Sequence, residues 1–324
     1  MIGLFYGTRP EYIKILPVAR ALNDRNIEYE LVQIRQHTDL IKDCEFDRTF
    51  RVYSGDINRL NNIFDTALDI DLKRYKHVVV QGDTSTAAAV ALSAFNQGVP
   101  VMHVEAGLRT YDKSNPYPEE TNRRIISALA SVHYCPTQHD ASNLFKEGFG
   151  DEEIVVTGNT VIDNLRGCEA TKGNTVIVTM HRRENQPHLE KWFLEIDTLA
   201  SENPEYEFVF PMHPSPQVQK HKSIFKHVRV IDPVDHETML GMIASCQCVI
   251  TDSGGMQEEC SFFRKRCFVC REVTERPCPG QLLCKTPVDL YNKFSINFEV
   301  EFNESTPFGD GHAGEKIAKH IERH

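Results

Sequence analysis

The chain of 324 residues lacks any apolar run near the ~18 residues that a membrane-spanning helix needs. It also lacks a signal-like segment, because the apolar start at residues 1–6 is short and continues into fold-like sequence. The sequence contains no internal repeat, low-complexity tract or long linker. These absences predict a cytoplasmic protein that does not use a membrane as a partner.

Positive charge is scarce, with 36 lysines and arginines against 46 aspartates and glutamates, a net charge of −10 and a pI of about 5.8. Nucleic acids and anionic membranes require a basic surface, so neither is expected as a partner. An anionic small ligand requires only a local basic pocket. Residues that could supply one are Arg9, Lys14, Arg109, His181, Arg182 and Arg183.

The ten cysteines do not form a pattern typical of disulfides or zinc. Cys267 and Cys270 have CxxC spacing, but they lie in a predicted strand, where positions i and i+3 point to opposite faces. The spacing to Cys278 and Cys284 fits no common zinc motif. We therefore expect mostly buried, reduced thiols and no metal.

Strand-like runs alternate with helical patterns, which favours parallel sheets covered by helices on both faces. Strands are predicted at residues 2–6, 29–34, 77–80, 100–104, 132–135, 154–156, 175–179, 207–210, 228–231, 248–251 and 266–270. Helices are predicted at residues 10–26, 57–73, 85–96, 119–130, 140–147, 189–202, 217–225, 237–244, 256–263 and 313–322.

A break at residues 166–174 separates two runs of these βα units. The pattern predicts an α/β fold of two Rossmann-like, doubly wound domains that face a cleft. The expected domains are residues 1–166, with the acid/base residues, and residues 167–310, with the nucleotide-binding loop. The C-terminal helix, residues 311–324, could pack on either domain, and we favour the N-terminal one.

Three carboxylates occupy positions suited to chemistry. Asp83 and Glu105 directly follow two predicted strands, and Glu119 lies in the following Pro-Glu-Glu segment. The carboxyl ends of strands in an open α/β sheet face the ligand crevice. Acids placed there are explained more easily by catalysis than by packing.

A Ser-Gly-Gly turn in the second half is typical of a phosphate-binding loop. Ser253, Gly254 and Gly255 follow a predicted strand and open a helix, where backbone N–H groups can approach a diphosphate. Glu259 lies one helical turn further on and could face a ribose diol. The alternative is an N-cap followed by acidic residues, which helices favour in any case.

Two further groups of polar residues could bind an anion. The turn at residues 7–11, Gly-Thr-Arg-Pro-Glu, opens a helix and offers Arg9, although the alternative is a plain tight turn. It is not a GxGxxG loop, so bound NAD is unsupported. His181 and His213 follow successive predicted strands, which favours an anion site over two structural histidines. Arg276 could line a pocket or pair with an acid.

Together these segments resemble the non-hydrolysing UDP-N-acetylglucosamine 2-epimerase family. The matching segments are at residues 7–11, 82–84, 103–109, 118–123, 158–163, 181–184, 251–259 and 274–277. The resemblance implies a glycosyltransferase-B-like fold, a UDP-sugar substrate, a homodimer and no redox cofactor. A product of the mannosamine type would serve cell-surface polysaccharide or sialic acid synthesis.

The resemblance also implies a reaction in which UDP leaves with the C2 proton, giving 2-acetamidoglucal, and then adds back. It implies that Asp83, Glu105 and Glu119 are the acid/base candidates and that His181 assists departure of UDP. It assigns substrate or UDP binding to Arg9, Lys14, Arg109, Arg123, His213, Ser253, Gly254, Gly255, Glu259 and Arg276. Gln36 and His37 become possible contacts of a second, activating substrate molecule, although the surrounding segment is short.

Other functions stay open at this point. The chain could be an epimerase for a related nucleotide sugar such as UDP-2,3-diacetamido-glucuronate, because the motifs are shared. It could belong to the hydrolysing branch, which releases N-acetylmannosamine and UDP, although the complete Gly-Thr-Arg-Pro-Glu start favours the non-hydrolysing branch. It could also be a glycosyltransferase or a catalytically idle UDP-sugar-binding module.

Overall fold

The computed structural model describes residues 1–35, 44–52, 59–150, 153–297 and 306–324. They form two compact units, of which the first comprises Met1–Arg166 and Pro307–His324 and the second Gly167–Thr306. Each unit is built on a parallel sheet with helices packed against it. The predicted α/β fold with two Rossmann-like domains is confirmed.

The first unit contains a seven-stranded sheet. Its strands are β1 Ile2–Tyr6, β2 Tyr29–Arg35, β3 Arg48–Arg51, β4 His77–Gln81, β5 Val101–Val104, β6 Val132–Cys135 and β7 Glu153–Val156. Its first five helices are α1 Arg9–Asp24, α2 Arg59–Leu68, α3 Ser85–Asn96, α4 Glu119–Leu129 and α5 Gln138–Lys146. A 3-10 helix, Thr160–Leu165, ends this part of the chain.

The strand order of this sheet is β3-β2-β1-β4-β5-β6-β7, with every neighbouring pair parallel. From β1 the chain passes through α1 outward to β2, and from β4 it passes through α3 outward to β5. The two connections leave in opposite directions, which makes the carboxyl ends of β1 and β4 the topological switch point. Ligands of doubly wound folds bind at this point.

Side chains that alternate along β1 build a core on each face of the sheet. Phe5 packs with the alanine-rich helix α3 on one face. Leu4 and Tyr6 pack with Ile15 of α1 and Ile317 on the other face. This alternation places α1 and α3 on opposite faces, so that the loops entering both helices meet at the switch point.

The second unit contains a six-stranded parallel sheet in the order β10-β9-β8-β11-β12-β13. The strands are β8 Thr175–Thr179, β9 Glu207–Pro211, β10 Arg229–Ile231, β11 Cys248–Thr251, β12 Arg266–Cys270 and β13 Gln281–Cys284. The helices are α6 Leu189–Glu202, α7 Pro216–Gln219, α8 His236–Ser245, α9 Gly254–Phe262 and α10 Pro287–Asn297. Its switch point lies between β8 and β11.

The last helix, α11, spans Ala313–Ile321 and belongs to the first unit. It packs against α1, with Ile317, Ala318 and Ile321 buried in the same core as Val18. Asp163 accepts hydrogen bonds from the backbone N–H groups of Ala313 and Gly314, at 2.9 and 2.7 Å, which caps the start of α11.

Several predicted elements were wrong or missing. The edge strands β3 and β13 and the helix α10 were not predicted, and residues 217–225 form the short α7 and a separate 3-10 turn, Lys222–Ile224. Helix α2 is shorter than residues 57–73. Two of its leucines, Leu60 and Leu68, are 55% and 50% exposed, so this helix buries only part of its apolar surface.

All ten cysteines are free thiols, eight of them buried. Cys270 points into the main core of the second unit, and its CxxC partner Cys267 does not. Within the described ranges, no helix has both the length and the apolar character required to cross a bilayer.

Candidate active site

A buried carboxylate, Glu11, ties together the two loops at the switch point of the first unit. It is 3% exposed and accepts hydrogen bonds from the Gly7 backbone N–H at 3.0 Å and the Thr8 hydroxyl at 2.7 Å, both after β1. It also accepts from the Thr84 hydroxyl, after β4, at 2.6 Å. Burial outweighs these bonds and raises the pKa of Glu11 to about 7. Glu11 stood within a predicted motif but was not predicted as a site residue.

Glu105 sits in a backbone conformation that side chains rarely adopt. Its φ of 67° lies in the left-handed region, directly after β5. The carboxylate is buried and accepts hydrogen bonds from the Lys14 ammonium at 2.6 and 2.8 Å. Gln81 and Asn159 also donate to it. Such strain persists only where the surroundings enforce it, and it concentrates at functional sites.

Asp83 is held by a buried arginine from α4. The Arg123 guanidinium donates to its carboxylate at 2.7 and 2.9 Å, and Asn122 donates to its backbone carbonyl at 2.9 Å. The Asp83 side chain keeps 25% of its surface exposed, so a ligand can reach it. Glu119 is the first residue of the same helix and is partly buried.

A buried histidine supports the turn that carries Asp83. The ring of His103, in β5, lies 2.7 Å from the Gly82 carbonyl through Nε2. Burial lowers the pKa of His103 to about 4, so the ring is neutral at pH 7 and Nε2 donates to the carbonyl. His103 lies in the matching segment at residues 103–109 but was not predicted as a site residue.

Two other predicted binding residues of the first unit differ in how exposed they are. Arg109 is buried and engaged by Glu147 at 2.8 Å and by the Ser127 hydroxyl at 3.0 Å. Arg9 is exposed at the first position of α1. Gln36 and His37 lie outside the described residues.

In the second unit the buried carboxylate of Asp252 joins two switch-point loops, as Glu11 does in the first unit. It is fully buried after β11 and accepts hydrogen bonds from backbone N–H groups of the loop after β8, His181 at 3.1 Å and Arg182 at 2.9 Å. The Asn185 side chain donates to it at 3.1 Å. The two loops at this switch point are thereby joined. Asp252 was also absent from the predicted site.

Two predicted histidines meet at this point. The rings of His181 and His213 stack with centroids 5.1 Å apart and an interplanar angle of 12°. The His181 side chain is 41% exposed, and its Nδ1 lies 3.8 Å from Asp252. Burial lowers the pKa of His213, and the neighbouring His181 lowers it further. The pair presents imidazole nitrogens at the carboxyl ends of β8 and β9.

The absence of a side chain at Gly254 lets two arginines approach the amino-terminal end of α9. Ser253 is the N-cap, with extended backbone. A Cβ atom on Gly254 would lie 2.8 Å from Nη1 of Arg276 and 3.3 Å from Nη2 of Arg182, whereas one on Gly255 would meet no atom within 4 Å. Guanidinium groups beside the positive end of a helix dipole favour a bound anion.

Arg276 is held in this position by two acids. It donates to Glu258 at 2.7 Å and to Glu275. Glu259, further along α9, is 4% exposed and lies 2.9 Å from Nε2 of His236, the first residue of α8. His236 was not predicted. Its position a few residues after a predicted strand was the available signal, and His181 was selected partly on the same ground.

The family described as “UDP-N-acetylglucosamine 2-epimerase” matches residues 61–322 of the chain. The chain is 34% identical to the UDP-N-acetylglucosamine 2-epimerase of Campylobacter jejuni, over 98% of this chain and 96% of that protein.

Two solved structures are similar along the whole chain. One is the UDP-GlcNAc 2-epimerase of Neisseria meningitidis bound to UDP-GlcNAc, with a TM-score of 0.90, 29% identity and full coverage of both chains. The other is the Methanocaldococcus jannaschii UDP-GlcNAc 2-epimerase in complex with UDP-GlcNAc and UDP, with a TM-score of 0.84 and 27% identity, covering 100% of this chain and 99% of that one.

Proposed function

The chain belongs to the UDP-N-acetylglucosamine 2-epimerase family, and we propose that it interconverts UDP-N-acetylglucosamine and UDP-N-acetylmannosamine without net hydrolysis. The observation that carries this proposal is the strained, buried Glu105, paired with Lys14 beside a switch point that also holds Asp83. Backbone strain of this kind concentrates at functional sites, and here it falls on a buried acid.

The chemistry requires elimination because the C2 proton of the sugar is not adjacent to a carbonyl. In the first half-reaction the C2–H bond breaks, its electron pair forms the C1=C2 bond of 2-acetamidoglucal, and the C1–O bond breaks to release UDP. In the second half-reaction UDP adds back to C1 while a proton is delivered to the opposite face of C2. Acid/base groups are therefore needed on both faces.

We assign the acid/base roles to Glu105, Asp83 and Glu119. Lys14 and Arg123 position two of these carboxylates. Because these cations hold the acids in fixed orientations, proton transfer needs little rearrangement. Arg9, exposed at the start of α1, is proposed to contact the diphosphate.

The second unit is proposed to bind UDP. The start of α9, at Gly254 and Gly255, with Arg276 nearby, would bind the diphosphate, and Glu259 would bind the ribose hydroxyls. His181 would assist departure of UDP by stabilising the charge that develops on the leaving oxygen. The Neisseria meningitidis and Methanocaldococcus jannaschii structures named above contain UDP-GlcNAc, which supports this class of ligand.

The reaction is tested by incubating the protein with UDP-N-acetylglucosamine in deuterated water and recording proton NMR spectra. We expect deuterium at C2 together with UDP-N-acetylmannosamine. Release of free N-acetylmannosamine would place the protein in the hydrolysing branch. UDP binding without exchange would favour a binding module. Exchange seen only with a UDP-diacetamido sugar acid would identify that compound as the substrate. Size-exclusion chromatography with light scattering tests the homodimer that we propose.

A further inference from the structure

A carboxylate and two histidines meet at the amino-terminal edge of the sheet in the first unit. The Oε1 atom of Glu153 lies 2.7 Å from Nε2 of His320, and its Oε2 atom lies 3.1 Å from Nε2 of His324. One ligand atom from each residue can be chosen so that all three lie within 4.8 Å of one another. We propose that these three residues form a binding site for a divalent first-row metal ion, with zinc as the best match.

The ligand types and spacing suit zinc. A tetrahedral ion with ligands at ~2.1 Å has neighbouring ligand atoms ~3.4 Å apart, so small side-chain rotations would admit it. Imidazole nitrogen combined with carboxylate oxygen is a donor set that zinc accepts, with water in the remaining position.

The two histidines are presented together by the end of α11. Beyond Ile321 the chain continues in tight turns, with the Arg323 N–H donating to the His320 carbonyl and the His324 N–H to the Ile321 carbonyl, both at 3.1 Å. Their rings thereby lie with centroids 4.7 Å apart. The negative end of a helix dipole also favours a bound cation at this position.

His320 has the second interaction that metal-binding histidines commonly show. Its side chain is 9% exposed, and Nδ1 lies 3.0 Å from the hydroxyl of Tyr134, in β6. A partner on the second ring nitrogen sets the tautomer and the ring orientation, which leaves Nε2 available to a metal. The Tyr134 ring also packs edge-on against His320.

The cluster is open to solvent and separate from the candidate active site. The side chains of Glu153 and His324 are 48% and 37% exposed, so an ion and its water can enter. The ring centroids of His77 and His324 lie 6.3 Å apart, and His77 is the first residue of β4. Asp83 follows the opposite end of the same strand. At ~3.3 Å per residue the first and last residues of this strand lie about 13 Å apart.

A metal ion here would fasten the C-terminal helix to β7. An ion that binds the folded chain and not the unfolded chain raises the unfolding temperature by mass action. This proposal does not depend on the epimerase reaction, because none of its residues belongs to the proposed acid/base or UDP-binding groups.

The test uses the tag-free chain of residues 1–324 after treatment with a chelator. Zinc binding is measured by calorimetry, and Co²⁺ is added separately as a spectroscopic probe of tetrahedral coordination. We expect one zinc ion per chain, visible Co²⁺ bands and a higher unfolding temperature with zinc. All three should be lost in His324→Ala and Glu153→Gln and retained in His139→Ala, which removes an exposed histidine of the same unit.

Tyr134→Phe should weaken zinc binding by roughly 10–100-fold, because it removes only the outer hydrogen bond. Zinc binding of equal stoichiometry and affinity in wild type, His324→Ala and Glu153→Gln would overturn the proposal, as would a wild-type protein that binds none. Sugar-nucleotide turnover measured on the same samples should be unchanged in His324→Ala, which separates this result from a failure of the proposed reaction.

Discussion

The Lys14 ammonium lies 2.6 and 2.8 Å from the two carboxylate oxygens of Glu105, although the residues are 91 positions apart in the chain. Lys14 projects from α1, which follows β1, and Glu105 follows β5. The parallel sheet brings both to its carboxyl edge. A cation thus fixes the orientation of an acid whose backbone is already strained.

Replacing Glu105 with glutamine should remove proton transfer while keeping the shape of the side chain. We expect turnover to fall by roughly 10²–10⁴-fold with UDP affinity retained, because general acid/base groups act on the transition state. Steady-state kinetics and calorimetry with UDP measure the two effects. Glu28→Gln, at an exposed glutamate of the same unit, is the control and should keep full activity. Wild-type turnover in Glu105→Gln would contradict the assigned role.

Gly254 and Gly255 should respond in opposite ways to alanine. In Gly254→Ala the new Cβ would lie 2.8 Å from the Arg276 guanidinium, which Glu258 and Glu275 hold in place, so we expect a loss of ~1–3 kcal/mol in the free energy of unfolding. Gly255→Ala meets no atom within 4 Å and should gain ~0.5–1 kcal/mol from helix propensity. Urea unfolding distinguishes them, and equal effects would refute the packing argument.

Glu259→Gln should weaken UDP binding by roughly 10–100-fold, because hydrogen bonds to a charged group contribute ~1.5–3 kcal/mol. The variant also disturbs the pair with His236, which lies 2.9 Å away. Calorimetry with UDP is the measurement, and Glu237→Gln, at the exposed residue next to His236, is the control. Unchanged affinity in Glu259→Gln would exclude it from the nucleotide site.

Glu11 should make stability decrease as pH rises. Its pKa is raised by burial from 4.5 to about 7, so between these values the folded state holds a proton that the unfolded state has lost. The stabilisation present below pH 4.5 is therefore lost as pH rises through 7. From pH 5 to 8, the free energy of unfolding of the wild type should fall by about 3 kcal/mol relative to that of Glu11→Gln. Urea unfolding measures both. A difference that does not vary with pH would show that this carboxyl is not the cause.

Sequence patterns were sufficient to predict the central strands of both sheets but not every strand at the sheet edges. Strands β1, β6 and β11 are fully buried and mostly apolar, and this property is visible locally. The missed strands β3 and β13 are edge strands whose side chains are mostly only partly buried or exposed, and β3 carries two arginines among its four residues. An edge strand has only one neighbouring strand, so its sequence need not be apolar.

The alternation of strands and helices and the acids at strand ends could be predicted before folding, because periodicity and strand direction are local properties of the chain. The partners of these side chains emerged only from the folded chain: Lys14 for Glu105, Arg123 for Asp83, and Glu147 for Arg109. It also revealed Glu11 and Asp252 as the residues that join the loops. These pairings link distant positions, and only the packed sheet determines which side chains share a buried site.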